Sequence, residues 1–230
     1  MITKLSFLTV KGVPALPWSS AEPLNLRPRM TTVAYLVAGL TLFGLGETLI
    51  LTANAGLSPW IVLAEGTGNV TGWSVGFATF AISVAVLVLW VPLHQKPGIG
   101  TILNAVIIAA VIEFAAPYLP SPENYPLRLL QTTVGIYIVG FGGAMYLIAN
   151  LGPGPRDGLM TGLQRITGAP IAWVRSSIEV TVVIAGWLLG GTVGVGTVMF
   201  ALMIGPAVAM NLYLLAKLFG CAEIRQAGTR

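Results

Sequence analysis

The chain has 230 residues, 55% of them hydrophobic and only 9% charged, with a mean hydropathy of +0.84. A soluble domain carries about 25% charged residues to cover its surface, so most of this surface faces something other than water. That excludes a soluble enzyme, a nucleic-acid-binding domain and a disordered chain, while one cysteine (Cys221) and one histidine (His94) exclude an intramolecular disulfide and a cysteine- or histidine-based metal site.

Residues 1–30 contain no continuous apolar run, being interrupted by Lys11, Pro14, Pro17 and Glu22. They are expected to form a loose cytosolic tail and not a signal peptide. Six stretches then reach the roughly 20 apolar residues that a membrane-crossing helix needs, at roughly 31–53, 73–93, 99–119, 127–149, 171–190 and 195–216. Residues 217–230 form a second cytosolic tail. The predicted fold is an all-α membrane protein with six transmembrane helices.

Basic residues orient it. With six crossings, one side holds Lys4, Lys11, Arg27, Arg29, Lys96, Arg156, Arg165, Arg175, Lys217, Arg225 and Arg230, and the other holds Arg128 alone. The positive-inside bias puts that first side, with both termini, in the cytoplasm. It also accounts for the excess of 12 Lys and Arg over 8 Asp and Glu without an acidic partner.

A shift of 96 positions, without a gap, aligns the first half with the second. Gly39 falls on Gly135, Gly44 on Gly140, Gly46 on Gly142, Asn54 on Asn150, Gly56 on Gly152, Pro59 on Pro155 and Gly66 on Gly162. Thr71-Gly72 meets Thr167-Gly168, and Gly98-x-Gly100-Thr101 meets Gly194-x-Gly196-Thr197. Each unit, 31–119 and 127–216, holds three spans. An odd number makes consecutive copies enter the membrane from opposite sides, so the prediction is a pair of inverted repeats, an architecture of transporters whose sites lie at the repeat interface.

After the first span of each unit comes Asn-x-Gly-x-x-Pro: Asn54 to Pro59, and Asn150 to Pro155. Asn and Gly end helices well and proline starts them, so each motif reads as helix end, tight turn and short second helix. Two such N-termini approaching from opposite faces offer unpaired N–H groups to an anion or carbonyl group. The substrate-binding candidates are therefore Asn54, Ser58, Trp60, Asn150, Arg156 and Asp157. The plainer alternative is a surface turn in which Asp157 caps a helix and Arg156 obeys the charge bias.

Three carboxylates fall inside predicted spans, where a charge is costly and marks function by default: Glu47, Glu113 and Glu179. Glu179 has Arg175 one turn earlier, either as a structural pair or as a gate. Glu47 and Glu113 have no local basic partner and suit proton coupling, unless they simply reach water. The glycines at 39, 44, 46, 135, 140, 142 and 143 read as helix packing. Trp60, Trp73, Trp90 and Trp187 read as interfacial residues near span ends, and Asn104 and Asn211 as interhelical hydrogen bonds. Pro206 is expected to kink the last span. No phosphate loop, metal signature or nucleophile–base arrangement is present, so neither catalysis nor a cofactor is expected.

The segments Gly-Pro-Gly-Pro-Arg-Asp-Gly-Leu-Met (152–160), Val-Arg-x-x-Ile-Glu-Val (174–180) and Gly-Trp-Leu-Leu-Gly-Gly-Thr-Val-Gly-Val-Gly-Thr (186–197) resemble the YczE-like, YitT-related family of bacterial membrane proteins. Gly-Leu-Ser-Pro-Trp (56–60) and Lys-Pro-Gly-x-Gly-Thr-x-x-Asn (96–104) resemble its first-half motifs. The resemblance implies a multi-pass protein of the bacterial inner membrane and supplies no substrate. Two functions remain open. One is a carrier or channel for a small anionic or zwitterionic solute, with the glycine faces as one seam for a homodimer in the bilayer. The other is a non-transporting scaffold, sensor or substrate-capture subunit working with a larger membrane partner protein.

Overall fold

The computed structural model describes residues 12–220 and 223–226, so Lys4, Lys11, Cys221 and Arg230 lie outside the described residues. Among the described residues, eight helices carry the fold. In the first half they are α1 (Met30–Ala53), α2 (Pro59–Thr71), α3 (Val75–Leu89) and α4 (Ile99–Ala115), the last continued by a 3-10 turn at Ala116–Tyr118. In the second half they are α5 (Tyr125–Ala149), α6 (Pro155–Thr167), α7 (Ile171–Leu188) and α8 (Val195–Phe219).

The Asn-x-Gly-x-x-Pro motifs do what their residue types dictate. Asn54 and Asn150 end α1 and α5 in the left-handed region (φ 51° and 52°), and Gly56 and Gly152 follow at φ 114° and 106°, which a side chain would strain. Pro59 and Pro155 then open α2 and α6 at the first helical position.

Among the described residues, five helices are long and apolar enough to cross a membrane, namely α1, α4 with its 3-10 turn, α5, α7 and α8, and α2 with α3 makes a sixth candidate bent by 110°. The expected span at 73–93 is therefore shorter than predicted. Pro92 disfavours helix in the residue before it, and the chain turns over 90–94, where His94 has φ 50°. α8 runs on past 216 to Phe219, through Pro206.

The centre is the crossing of α1 and α5, and glycine makes it close. A methyl group on Gly39 would stand 3.0 Å from the Gly142 carbonyl oxygen, and one on Gly46 would stand 2.7 Å from that of Gly135. Contacts of this kind recur 96 residues apart throughout the fold. Gly44 meets Val111 of α4 as Gly140 meets Ala207 of α8, each at 2.7 Å from the partner's Cβ. The Gly196 N–H donates to the Ala55 carbonyl as the Gly100 N–H donates to that of Leu151, each at 2.7 Å. Gly66 packs on Leu189 as Gly162 packs on Leu93, seating α2 beside α7 and α6 beside α3. The glycine faces are consumed inside the chain, so they are not a seam for a second copy.

One contact does not recur. α3 packs along α4, with Gly76 against Ala109 and Glu113, whereas α7 and α8 barely touch. Gly205, the counterpart of Ala109, has nothing near the place of its missing Cβ.

The N-terminal segment is not the loose tail expected of its polar sequence. From Gly12 onward it is built in. β1 (Gly12–Ala15) pairs antiparallel with β2 (Glu223–Gln226), with Gly12 opposite Gln226. Leu16 and Trp18 are buried, and Trp18 stacks on Tyr35 at 4.5 Å with Phe219 edge-on at 6.3 Å. Thr32 Oγ1 donates to the Trp18 carbonyl at 2.6 Å, and Ser20 N–H to that of Ala149 at 3.0 Å.

Candidate functional site

A cavity of about 290 Å³ lies where the two halves meet. α1 contributes Phe43 and Glu47, and α5 contributes Val139, Gly143, Tyr146 and Leu147. α2 gives Trp60, α4 gives Asn104 and Ile108, and α6 with its preceding turn gives Gly154, Arg156, Asp157 and Met160. Arg175 and Glu179 of α7 face α8, whose Phe200, Ile204, Gly205, Val208, Ala209 and Leu212 close the far wall.

Five pairs of residues 96 apart line it together: Phe43 with Val139, Glu47 with Gly143, Trp60 with Arg156, Asn104 with Phe200, and Ile108 with Ile204. The two short helices thus bring equivalent positions face to face, the Arg156 guanidinium standing 5.0 Å from the centre of the Trp60 ring, within the range of a cation–π attraction. In three of the five pairs one member is polar or charged and the other is not, so the lining is chemically lopsided although its framework repeats.

Glu47 is 1% exposed. Ser58, directly before α2, donates its hydroxyl to Oε2 at 2.7 Å, and Oε1 has no hydrogen-bond partner. Burying a carboxylate is costly unless it is paired, and the opposite charge is supplied by Arg156 across the cavity. The two attract without touching, because among the described residues the only ion pair within 4.0 Å is Arg175–Glu179 at 2.8 Å. That pair is more open, its side chains 48% and 25% exposed. Asp157 accepts from the Tyr146 hydroxyl at 2.7 Å, and the same hydroxyl accepts the Gly154 N–H in the turn before α6. Tyr146 therefore pins the start of α6, and with it Arg156, to α5.

Of the candidates read from sequence, Trp60, Arg156, Asp157, Glu47, Arg175 and Glu179 share this cavity. Ser58 stands behind Glu47. Asn54 and Asn150 do not line it: both are helix ends, and Asn150 donates to the Ser20 carbonyl at 3.0 Å. Glu113 is also outside, exposed on α4 beside Gly76. Glu47 does not reach water near a headgroup, since the α1–α5 crossing and α2 cover it. Trp90 is not interfacial: it is 1% exposed, and its indole N–H donates to the Pro155 carbonyl at 3.0 Å. Tyr146 had no signal in the sequence, because a tyrosine eight residues before Gly154 is visible as its anchor only once α5 and α6 are packed.

The family of unknown function DUF6198 matches residues 30–212 of the chain. An uncharacterised protein of Haemophilus influenzae is 38% identical over 209 residues, covering 91% of this chain and 95% of its own length. The uncharacterised membrane protein YczE of Bacillus subtilis is 32% identical over 195 residues, 84% of this chain and 90% of its own. The uncharacterised protein YyaS of the same organism is 24% identical over 169 residues, 72% and 84% of the two chains. No solved structure matches. The resemblance to YczE-like proteins seen in the glycine-rich segments holds along most of the chain, which is a membrane protein of the DUF6198 family.

Proposed function

We propose that the protein carries a small anionic or zwitterionic solute across the bacterial cytoplasmic membrane, through a cavity between two inverted three-helix repeats. The observation that carries this is the placement of five equivalent residue pairs around one cavity that also holds Glu47 and Arg156. Sites of inverted-repeat carriers lie at the repeat interface near the midplane, and intramembrane charges mark solute or ion pathways. The helix–helix contacts that recur 96 residues apart support the repeat.

The terminal ribbon supports six crossings. Because β1 and β2 are hydrogen-bonded to each other, both tails share one side, and the number of crossings between them is even. With five long helices, the bent α2–α3 unit as the sixth satisfies that count. The positive-inside bias of the basic residues favours the cytoplasm for that shared side. No catalytic step is assigned to the protein.

The test is osmotic. Proteoliposomes holding the protein alone are challenged with leucine, lactate and phosphate, and solute entry is read as swelling. Swelling that is specific for one solute, and abolished by Arg156→Gln in correctly folded protein, is the expected result. Proteoliposomes as tight as protein-free ones to all three, together with co-purification of a larger membrane partner, would establish the protein instead as a non-transporting subunit. Repeating the assay with an imposed proton gradient shows whether entry is coupled.

A further inference from the structure

Inside the cavity, three of the five charged side chains are already engaged. Asp157 is held by Tyr146, and Arg175 and Glu179 hold each other. Two groups of opposite sign are left. Glu47 presents Oε1, buried and without a partner. Arg156 makes no hydrogen bond and no ion pair within 4.0 Å among the described residues, although it carries five N–H donors.

We propose that these two groups select a zwitterion with an apolar body, its ammonium bound at Glu47 Oε1 and its acid group at the Arg156 guanidinium. An orphaned buried carboxylate oxygen is an acceptor waiting for a donor, and leaving it unmet is costly. A simple anion on Arg156 would bring a second negative charge toward Glu47, and a simple cation on Glu47 would do the converse to Arg156. Only a solute with both charges satisfies both groups at once. Phe43, Phe200, Ile204 and Leu212 make the remaining wall apolar, which suits a hydrocarbon side chain, and about 290 Å³ sits near the small end of the roughly 300–1,000 Å³ typical of ligand pockets. This deepens the carrier proposal and rests on it for the reason a solute enters, but it is a statement about binding.

The experiment uses the full chain in lipid nanodiscs and three compounds of one shape: leucine, 3-methylbutylamine, which lacks the acid, and 4-methylpentanoate, which lacks the amine. Binding is read as a rise in the thermal unfolding midpoint with concentration. Leucine is expected to act at concentrations at least about tenfold lower than either truncated compound, because each truncation leaves one charged group unmet. Glu47→Gln should reduce leucine to the level of 4-methylpentanoate, and Arg156→Gln should reduce it to the level of the amine. Should Glu47→Gln fail to fold, Glu47→Asp retains the charge, withdraws it by one methylene and should weaken leucine and the amine while leaving 4-methylpentanoate unchanged. Equal action of 4-methylpentanoate and leucine, equal action of the amine and leucine, or no response to any of them overturns the proposal. The two proposals fail separately: lactate or phosphate swelling without leucine binding removes the zwitterion and leaves the carrier, and leucine binding without swelling does the reverse.

Discussion

α3 and α4 in the first half, and α7 and α8 in the second, occupy equivalent places yet have opposite relations. α3 lies along α4 with Gly76 against the Ala109 carbonyl, while α7 stands off α8 and is the least buried of the five long helices. The gap beside α7 is where the cavity finds room, and the Arg175–Glu179 pair sits at its edge. Two stretches related by the 96-residue shift thus hold different shapes within a single molecule. Under the inverted-repeat proposal, exchanging the two shapes closes the cavity on one side of the membrane and opens it on the other.

The hardest blow to this comparison strikes where the halves interlock. Gly158 lies under the Trp90 ring, so Gly158→Val should cost about 3 kcal/mol or more through overpacking and abolish monodisperse protein in size-exclusion chromatography. Adding Trp90→Gly should restore part of the yield. Next in size are the bonds that hold the cavity's charged groups. Ser58→Ala leaves Glu47 with neither oxygen bonded, and Tyr146→Phe frees both Asp157 and the Gly154 N–H. Each should lower stability in detergent by about 1–3 kcal/mol, seen as an earlier thermal transition.

The open and closed pairs are compared directly by thiol accessibility in a Cys221→Ser background. Gly205→Cys should react with a water-soluble maleimide at least about tenfold faster than Ala109→Cys, because burial restricts reaction to rare local openings. Equal rates would mean that the two pairs are equally closed. The smallest effect is expected of Arg175→Ala. An exposed ion pair contributes about 0–1 kcal/mol, so stability should hardly change. A large change in solute entry without a change in melting would mark the pair as the gate between α7 and α8.

The fold was legible in the sequence as far as composition and backbone chemistry reach. Apolar length gave the long helices, and Asn, Gly and Pro at fixed spacing gave both turns and the short helices after them. Glycine periodicity gave the packed faces, though not their partners, because a small residue says that something comes close and not what. The site was legible in part. Arg156 and Glu47 stood out as charges in apolar surroundings, but they belong to different halves, and only packing joins them. Asn54 and Asn150 were misleading for the same reason that they were visible: the left-handed backbone favours asparagine, and this use of the residue needs no ligand. The N-terminal segment shows no anchor in the sequence because Trp18 is flanked by Pro17 and Ser19 with no apolar run around it, and its partners Tyr35 and Phe219 come from α1 and α8.

The Trp90–Gly158 contact has a counterpart in Val62 and Gly186, where the glycine lies on the opposite member of the pair. The two joints use their glycine differently: Gly158 takes the edge of an indole ring, whereas Gly186 admits the backbone of Val62 and Leu63. A protein assembled from two first halves would set the Trp90 indole where the backbone of Val62 and Leu63 passes and fail to close, and one assembled from two second halves would set glycine against glycine and lose the indole. Each half is thus shaped to receive the other, and neither would fit a second copy of itself.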